Sequence, residues 1–214
     1  MDKPVSKVSD QFMTPPNVIE LARTAMGSID FDPASNYIAQ QYVKSSNWCI
    51  APDDIESREI TSAWYDSCVF VNGLNTEWHG NVWLNPPYSG GNIDAFVDKA
   101  IEEWTTIRLL DPPYFTVDNM IILVNSSTDT KWYHKLCKHA SFGLLWSGRI
   151  KFWKIFDGKA HDKWEGELSK QRGTGKVGNA PRFLNTLFFF ARTNKAENSM
   201  YNTFEGKGTF FKTL

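Results

Sequence analysis

The spacing of apolar positions changes several times along the chain, and each change marks an expected element. Val18, Leu21, Ala22 and Ala25 recur at helical intervals between Thr14-Pro15-Pro16 and Gly27. Threonine suits a helix cap, proline suits the first turn, and glycine suits the position after the last, so a helix is expected here. Ile29 to Asn36 (Ile-Asp-Phe-Asp-Pro-Ala-Ser-Asn) reads as a short strand ending in an acidic turn. The stretch 37–78 is the least periodic part; within it Ser67 to Val71 reads as a strand, followed by the turn signal Asn72-Gly73. Asn81-Val82-Trp83-Leu84 reads as a buried strand. Helical spacing returns at Ile93, Phe96, Val97, Ala100, Ile101 and Trp104, with Asn92 or Asp94 placed to cap. Met120 to Val124 is an unbroken apolar run, as in a parallel strand covered on both faces. Thr128 or Asp129 would start a helix carrying Trp132, Tyr133 and Leu136. Phe142 to Trp146 and Leu187 to Ala191 read as a final antiparallel pair of strands.

Strand, loop, helix and strand over 81–124 form a right-handed crossover unit. The alternation of types predicts an α/β fold: one Rossmann-like sheet, mostly parallel with an antiparallel edge, and helices on both faces. The 214 residues suffice for a single domain, expected over 10–214 behind a polar, disordered tail of residues 1–9.

In such sheets ligands bind beyond the carboxyl ends of the strands. Asn85-Pro86-Pro87-Tyr88 stands at such an end. Its prolines fix φ and keep the preceding residues extended, so the backbone is stiff. The Asn85 side-chain oxygen and the Pro86 carbonyl then form a rigid pair of acceptors beside an aromatic plate, Tyr88. That arrangement suits an exocyclic amine on a flat heterocycle. A second copy of the pattern, Asp111-Pro112-Pro113-Tyr114, lies six residues before Met120. No crossover helix fits in that interval, so the second copy reads as a turn and the first as the site.

Asp32, at the other strand end, suits a charged or polyhydroxy ligand, or equally an Asx turn beside Pro33. Asp53 and Asp54 read as solvated loop acids before they read as ribose ligands. The polar run Asn125 to Lys131 would border the same site while also starting a helix.

Net charge is −1, which neither requires nor excludes a nucleic acid; distribution decides. From Arg149 to Arg182 there are nine Lys or Arg against four acids, a local charge of +5, interleaved with Phe152, Trp153, Phe156 and Trp164. Such a mixture suits phosphate contacts and base stacking, although a solvated loop shares the composition. The three cysteines are scattered and the four histidines lack ligand spacing, so neither a zinc site nor a disulfide framework is expected. There is no leader-like segment and no run near the ~18 apolar residues of a membrane span.

Asn85 to Ser89 resembles motif IV of the methyltransferases that modify adenine N6 or cytosine N4. The ordered set of motifs resembles one family among them, the small Dam-like DNA N6-adenine methyltransferases common in phages. Asp10, Phe12, Thr14 and Pro15 resemble its amino-terminal element, and Asp30 to Asn36 its first cofactor motif. Gly73-Leu74, Trp78 and Val82 lead into motif IV; Leu123-Val124, Thr128-Asp129-Thr130 and Trp132 resemble the next segment, and Gly148 to Phe152 a later one. The resemblance spans about residues 10–192. No Gly-x-Gly turn follows Asp32, and a separate target-recognition domain is missing.

The resemblance implies a class I methyltransferase using S-adenosylmethionine, with Thr14, Pro15, Asp32, Pro33, Ala34 and Ser35 lining the cofactor pocket. It implies a catalytic Asn85, Pro86, Pro87 and Tyr88, the first two accepting hydrogens from the adenine amine and the last stacking on the flipped base. The basic insertion at 149–182 would contact DNA through Arg149, Lys151, Lys170, Arg172 and Lys176. No metal, no membrane partner, a monomer or weak homodimer, and a cytoplasmic location complete the expectation. Methylation of cytosine N4 and a catalytically silent nucleic-acid binder stay open beside it.

Overall fold

The computed structural model describes residues 12–50, 69–88, 91–107, 116–156, 159–161 and 183–212. Its centre is β6 (Val117–Asn125), where Met120 to Val124 are wholly buried. Alternation sends Met120, Ile122 and Val124 to one core and Ile121 and Leu123 to another. The first core is closed by α3 (Asn92–Thr105) and α4 (Lys131–His139), the second by α1 (Pro16–Met26) and α5 (Asn194–Phe204). Helices therefore cover both faces, as expected.

Among the described residues the main sheet has eight strands. Beside β6 lies β5 (Gly80–Leu84), then β2 (Phe31–Ser35), β3 (Asn47–Ile50) and β4 (Val69–Val71), all parallel. On its other side lie β10 (Asn185–Ala191), β7 (Phe142–Trp146) and β11 (Gly208–Lys212), all antiparallel to their neighbours. The β7–β10 pair matches the expected antiparallel edge; β11 widens it.

The chain lays down β2, β3 and β4 in one direction, then returns so that β5 and β6 continue from β2 in the other. The reversal falls between β2 and β5, and a crevice opens beyond the carboxyl ends of two such strands. Ser35 and Leu84 end these strands, so the Asp32 and Asn85 segments face each other across the reversal.

A second sheet departs from the single-sheet expectation. β1 (Phe12–Met13) pairs with β8 (Trp153–Phe156), which pairs with β9 (Lys159–His161). β7 and β6 are both antiparallel to β10, so residue 147 leaves and residue 184 returns at the same carboxyl edge. The basic segment is thus anchored at the edge that carries the strand-end motifs.

Several local expectations change. Thr14 does not cap α1: Pro15 is the cap residue, and its carbonyl accepts from Val18 and Ile19. Gly27 ends α1 with a positive φ of 89°, as expected of a glycine stop. Neither Asn92 nor Asp94 caps α3; Gly91 occupies that position with positive φ. The cap position of α4 is Thr130, not Thr128 or Asp129. The sequence reading lacked β3, α2 (Tyr37–Val43), α5 and β11. Asn36, read as a strand end, is the cap of α2, its Oδ1 accepting from the N–H of Ile38 and Ala39. Among the described residues no helix is long and apolar enough to cross a membrane.

Candidate active site

At the end of β5, Trp83 belongs to the α1-side core and Leu84 to the opposite one. Alternation carries Asn85 to the α1 side, where its Nδ2 donates to Thr14 Oγ1 at 3.3 Å. Thr14 is buried, 3% exposed, directly between β1 and the start of α1. Pro86 is buried and Pro87 half-buried.

Tyr88 is a ring fixed at two points. Its hydroxyl accepts the backbone N–H of Asn125 at 2.6 Å, and its ring meets Trp132 edge-on at 6.5 Å between centroids. Burial pushes the phenol pKa far up, so the hydroxyl stays protonated. Asn125 ends β6, so this bond ties the loop after β5 to the neighbouring strand.

Across the reversal, Asp32 is 3% exposed and both its oxygens meet protein donors. Oδ1 accepts from the Ala34 N–H at 3.3 Å, an Asx turn, and Oδ2 from Gln40 Nε2 at 3.0 Å. Desolvation outweighs these hydrogen bonds and pushes the carboxyl pKa up to about 7. Gln40 also donates to Ser35 Oγ at 2.8 Å, and its Oε1 accepts from the N–H and hydroxyl of Ser45 at 3.1 and 2.9 Å. One carboxamide on α2 thus fixes Asp32 and Ser35, and sequence reasoning missed it. Its role depends on α2 packing beside β2, which no local pattern announces.

Pro33 is held from behind by Gly73. A Cβ at position 73 would lie 2.0 Å from the Pro33 carbonyl oxygen, so only glycine allows this approach. The Gly73 carbonyl accepts from the buried Trp78 indole N–H at 2.8 Å, which locks the turn in place. Ala34 is half-buried and Ser35 buried.

Met13, Ile38 and Ala39 form a small apolar cluster with Tyr42 and Trp153, whose rings meet edge-on at 5.3 Å. This cluster joins β1, α2 and β8 beside the Thr14 and Ser35 positions.

The expected residues Thr14, Pro15, Asp32 to Ser35 and Asn85 to Tyr88 therefore share the carboxyl edge of β2 and β5, and Thr14 touches Asn85 directly. Arg149 and Lys151 are exposed on the segment between β7 and β8. Lys170, Arg172 and Lys176 lie outside the described residues, as do Asp53, Asp54, Ser89 and Asp111 to Tyr114. In the polar run after β6, Ser126 and Tyr133 hydroxyls both meet Thr186 Oγ1, at 2.8 and 2.9 Å, while Thr128 and Asp129 are exposed. Among the described residues no group of three or more His, Cys, Asp or Glu is placed to hold a metal ion.

The arrangement offers a half-buried amide, a stiff proline backbone and a fixed aromatic ring on one side of a crevice. On the other it offers a buried acid, hydroxyls and a tightly packed turn. A family model described as DNA N-6-adenine-methyltransferase (Dam) matches residues 3–170. No curated protein and no solved structure matches the chain.

Proposed function

The chain belongs to the DNA N-6-adenine-methyltransferase (Dam) family, and on that premise we propose that it transfers a methyl group from S-adenosylmethionine to N6 of an adenine flipped out of DNA. The observation that carries this reading is the placement of Asn85-Pro86 beside Thr14 and opposite Asp32 to Ser35, at the reversal of the strand order. The same order, β4-β3-β2-β5-β6 followed by an antiparallel edge, supports a Rossmann-like class I methyltransferase sheet.

The donor set fits the cofactor. A molecule with an amino-acid end, a ribose and a purine needs both acceptors and donors along a crevice, and the hydroxyls of Thr14 and Ser35 provide them beside the apolar Pro15, Pro33 and Ala34. Asp32 serves by shaping the β2 end through Ala34 and Gln40, since both its oxygens are already taken. When bound, S-adenosylmethionine supplies a sulfonium methyl that is electrophilic without further activation.

The chain's own residues then orient the nucleophile. Asn85 Oδ1 and the Pro86 carbonyl accept the two N6 hydrogens, which turns the nitrogen lone pair out of the ring plane. Holding that lone pair in line is a sufficient source of rate. An amide does not take up a proton near neutral pH, so the proton lost from N6 passes to water. Tyr88 presents its ring to the base from a fixed position. Extruding a base costs a few kcal/mol of stacking and pairing, which contacts beyond the site must offset. Arg149 and Lys151, with Lys170, Arg172 and Lys176 further along the same segment, are proposed to supply them through phosphates.

Incubation with methyl-labelled cofactor and unmethylated DNA, followed by nucleoside analysis, tests the reading. N6-methyladenine is expected. N4-methylcytosine would keep the mechanism and change the base, and no incorporation would reject the reading.

A further inference from the structure

We infer that Thr14 is the positioning residue that orients the Asn85 carboxamide, an inference that rests on the methyl-transfer reading above. A carboxamide has two ends of nearly equal shape, one that only accepts hydrogen bonds and one that only donates. An asparagine at this place therefore works in one orientation and opposes the substrate amine in the other. A carboxylate would have no such preference.

The bond from Asn85 Nδ2 to Thr14 Oγ1, at 3.3 Å, assigns the nitrogen to the α1 side and leaves Oδ1 for the amine. In the opposite orientation an N6 hydrogen would meet Nδ2, donor against donor, so the substrate selects the state in which Nδ2 points to Thr14, and the Thr14 hydroxyl accepts the bond that holds it there. Thr14 is equipped for this role. It is 3% exposed, which keeps water from competing for the amide. Its hydroxyl is not spent on capping α1, where Pro15 is the cap residue. Its backbone is held on both sides, by β1 pairing with β8 and by the first turn of α1.

The test compares Thr14→Val, which keeps the shape and removes the oxygen, with Thr14→Ser, which keeps the oxygen. Thr14→Val should lower kcat, read at saturating cofactor, about tenfold, the scale of one hydrogen bond that places a reacting group. Thr14→Ser should restore kcat to within about twofold. In an Asn85→Asp background, Thr14→Val should cost less than about twofold, because a carboxylate presents an oxygen either way. An unchanged kcat in Thr14→Val, a rise in cofactor KM alone, an equal loss in Thr14→Ser, or an equal loss in the Asp background would each overturn the inference. If Asn85→Asp is itself inactive, the Val and Ser comparison decides.

A readout without activity separates this inference from the functional reading. The Asn85 side-chain NH2 signals, identified in a 15N–1H spectrum by their loss in Asn85→Asp, should shift and exchange faster in Thr14→Val but not in Thr14→Ser. Unmoved signals would overturn the pairing. Wild-type protein that methylates no DNA would reject the functional reading and leave these signals to decide on Thr14.

Discussion

The Tyr88 hydroxyl accepts the backbone N–H of Asn125 at 2.6 Å, so the ring after the Asn85-Pro86-Pro87 segment is pinned to the end of the next strand. An aromatic plate left free would sample several rotamers and lose that freedom on stacking. Here the freedom is already lost in folding, and the hydroxyl has a use that stacking alone does not give it.

Tyr88→Phe should therefore destabilise the protein by about 1 kcal/mol, since the Asn125 N–H loses its partner while the ring's packing stays. Its kcat should fall less than that of Tyr88→Ala, which removes the stacking surface as well. Urea denaturation and steady-state methyl transfer on both variants check this. Equal stability of Phe and Tyr at position 88 would contradict it.

Asp32 gives the stability a definite pH dependence. Its carboxyl pKa rises from an ordinary 3.8 to about 7 in the folded protein, chiefly through desolvation. Between these values the folded state holds a proton that the unfolded chain has released, so stability falls as pH rises. The contribution is fully present below the unfolded value and lost as pH passes the folded one. Roughly 2–4 kcal/mol is at stake across pH 4 to 7, and Asp32→Asn should flatten the dependence. Denaturant midpoints of wild type and Asp32→Asn from pH 4 to 8 measure it; parallel profiles would count against a buried, proton-holding Asp32.

Gly73→Ala should destabilise by about 1–3 kcal/mol or more, because the new methyl meets a backbone oxygen that has no rotamer to escape into. Relief requires Pro33 or the turn after β4 to move. Cofactor affinity should therefore fall together with thermal stability, which calorimetric titration and thermal unfolding would show. Unchanged values for both would mean the approach to Pro33 is looser than the geometry requires.

Arg149 and Lys151 predict a salt signature. Replacing both by Ala should weaken DNA binding at low salt and reduce the slope of log affinity against log salt by about 1 to 2, near 0.9 per lost phosphate contact. Anisotropy titrations over a salt series measure this slope. An unaltered slope would remove both residues from the interface.

Much of the frame was legible because period and punctuation agreed. α1 had proline at its start, an apolar stripe and glycine at its stop; β5, α3 and β6 had the alternation of a crossover. Asn85 to Tyr88 was legible because its chemistry is unsuited to a core yet follows a core strand. Thr14 was legible as a marked position, but a cap and a ligand to Asn85 look alike until α1 is laid across β5. The stretch 37–78 hid α2 and β3 because seven and four residues are too few to display a period. Gln40 stayed hidden with them, since its three partners come together only in the folded chain. α5 buries only Met200 and Phe204, too sparse an apolar face to announce a helix. β11 at the sheet's edge is mostly exposed and half-buried, which leaves no alternation to read.

The most direct test is nucleoside mass spectrometry of unmethylated DNA after incubation with S-adenosylmethionine and either the wild-type protein or Asn85→Ala, with cofactor binding of both measured calorimetrically. N6-methyladenine made by the wild type and absent with Asn85→Ala, at similar cofactor affinity, is the predicted result. N6-methyladenine at an undiminished rate with Asn85→Ala, or none with the folded wild type, would contradict it.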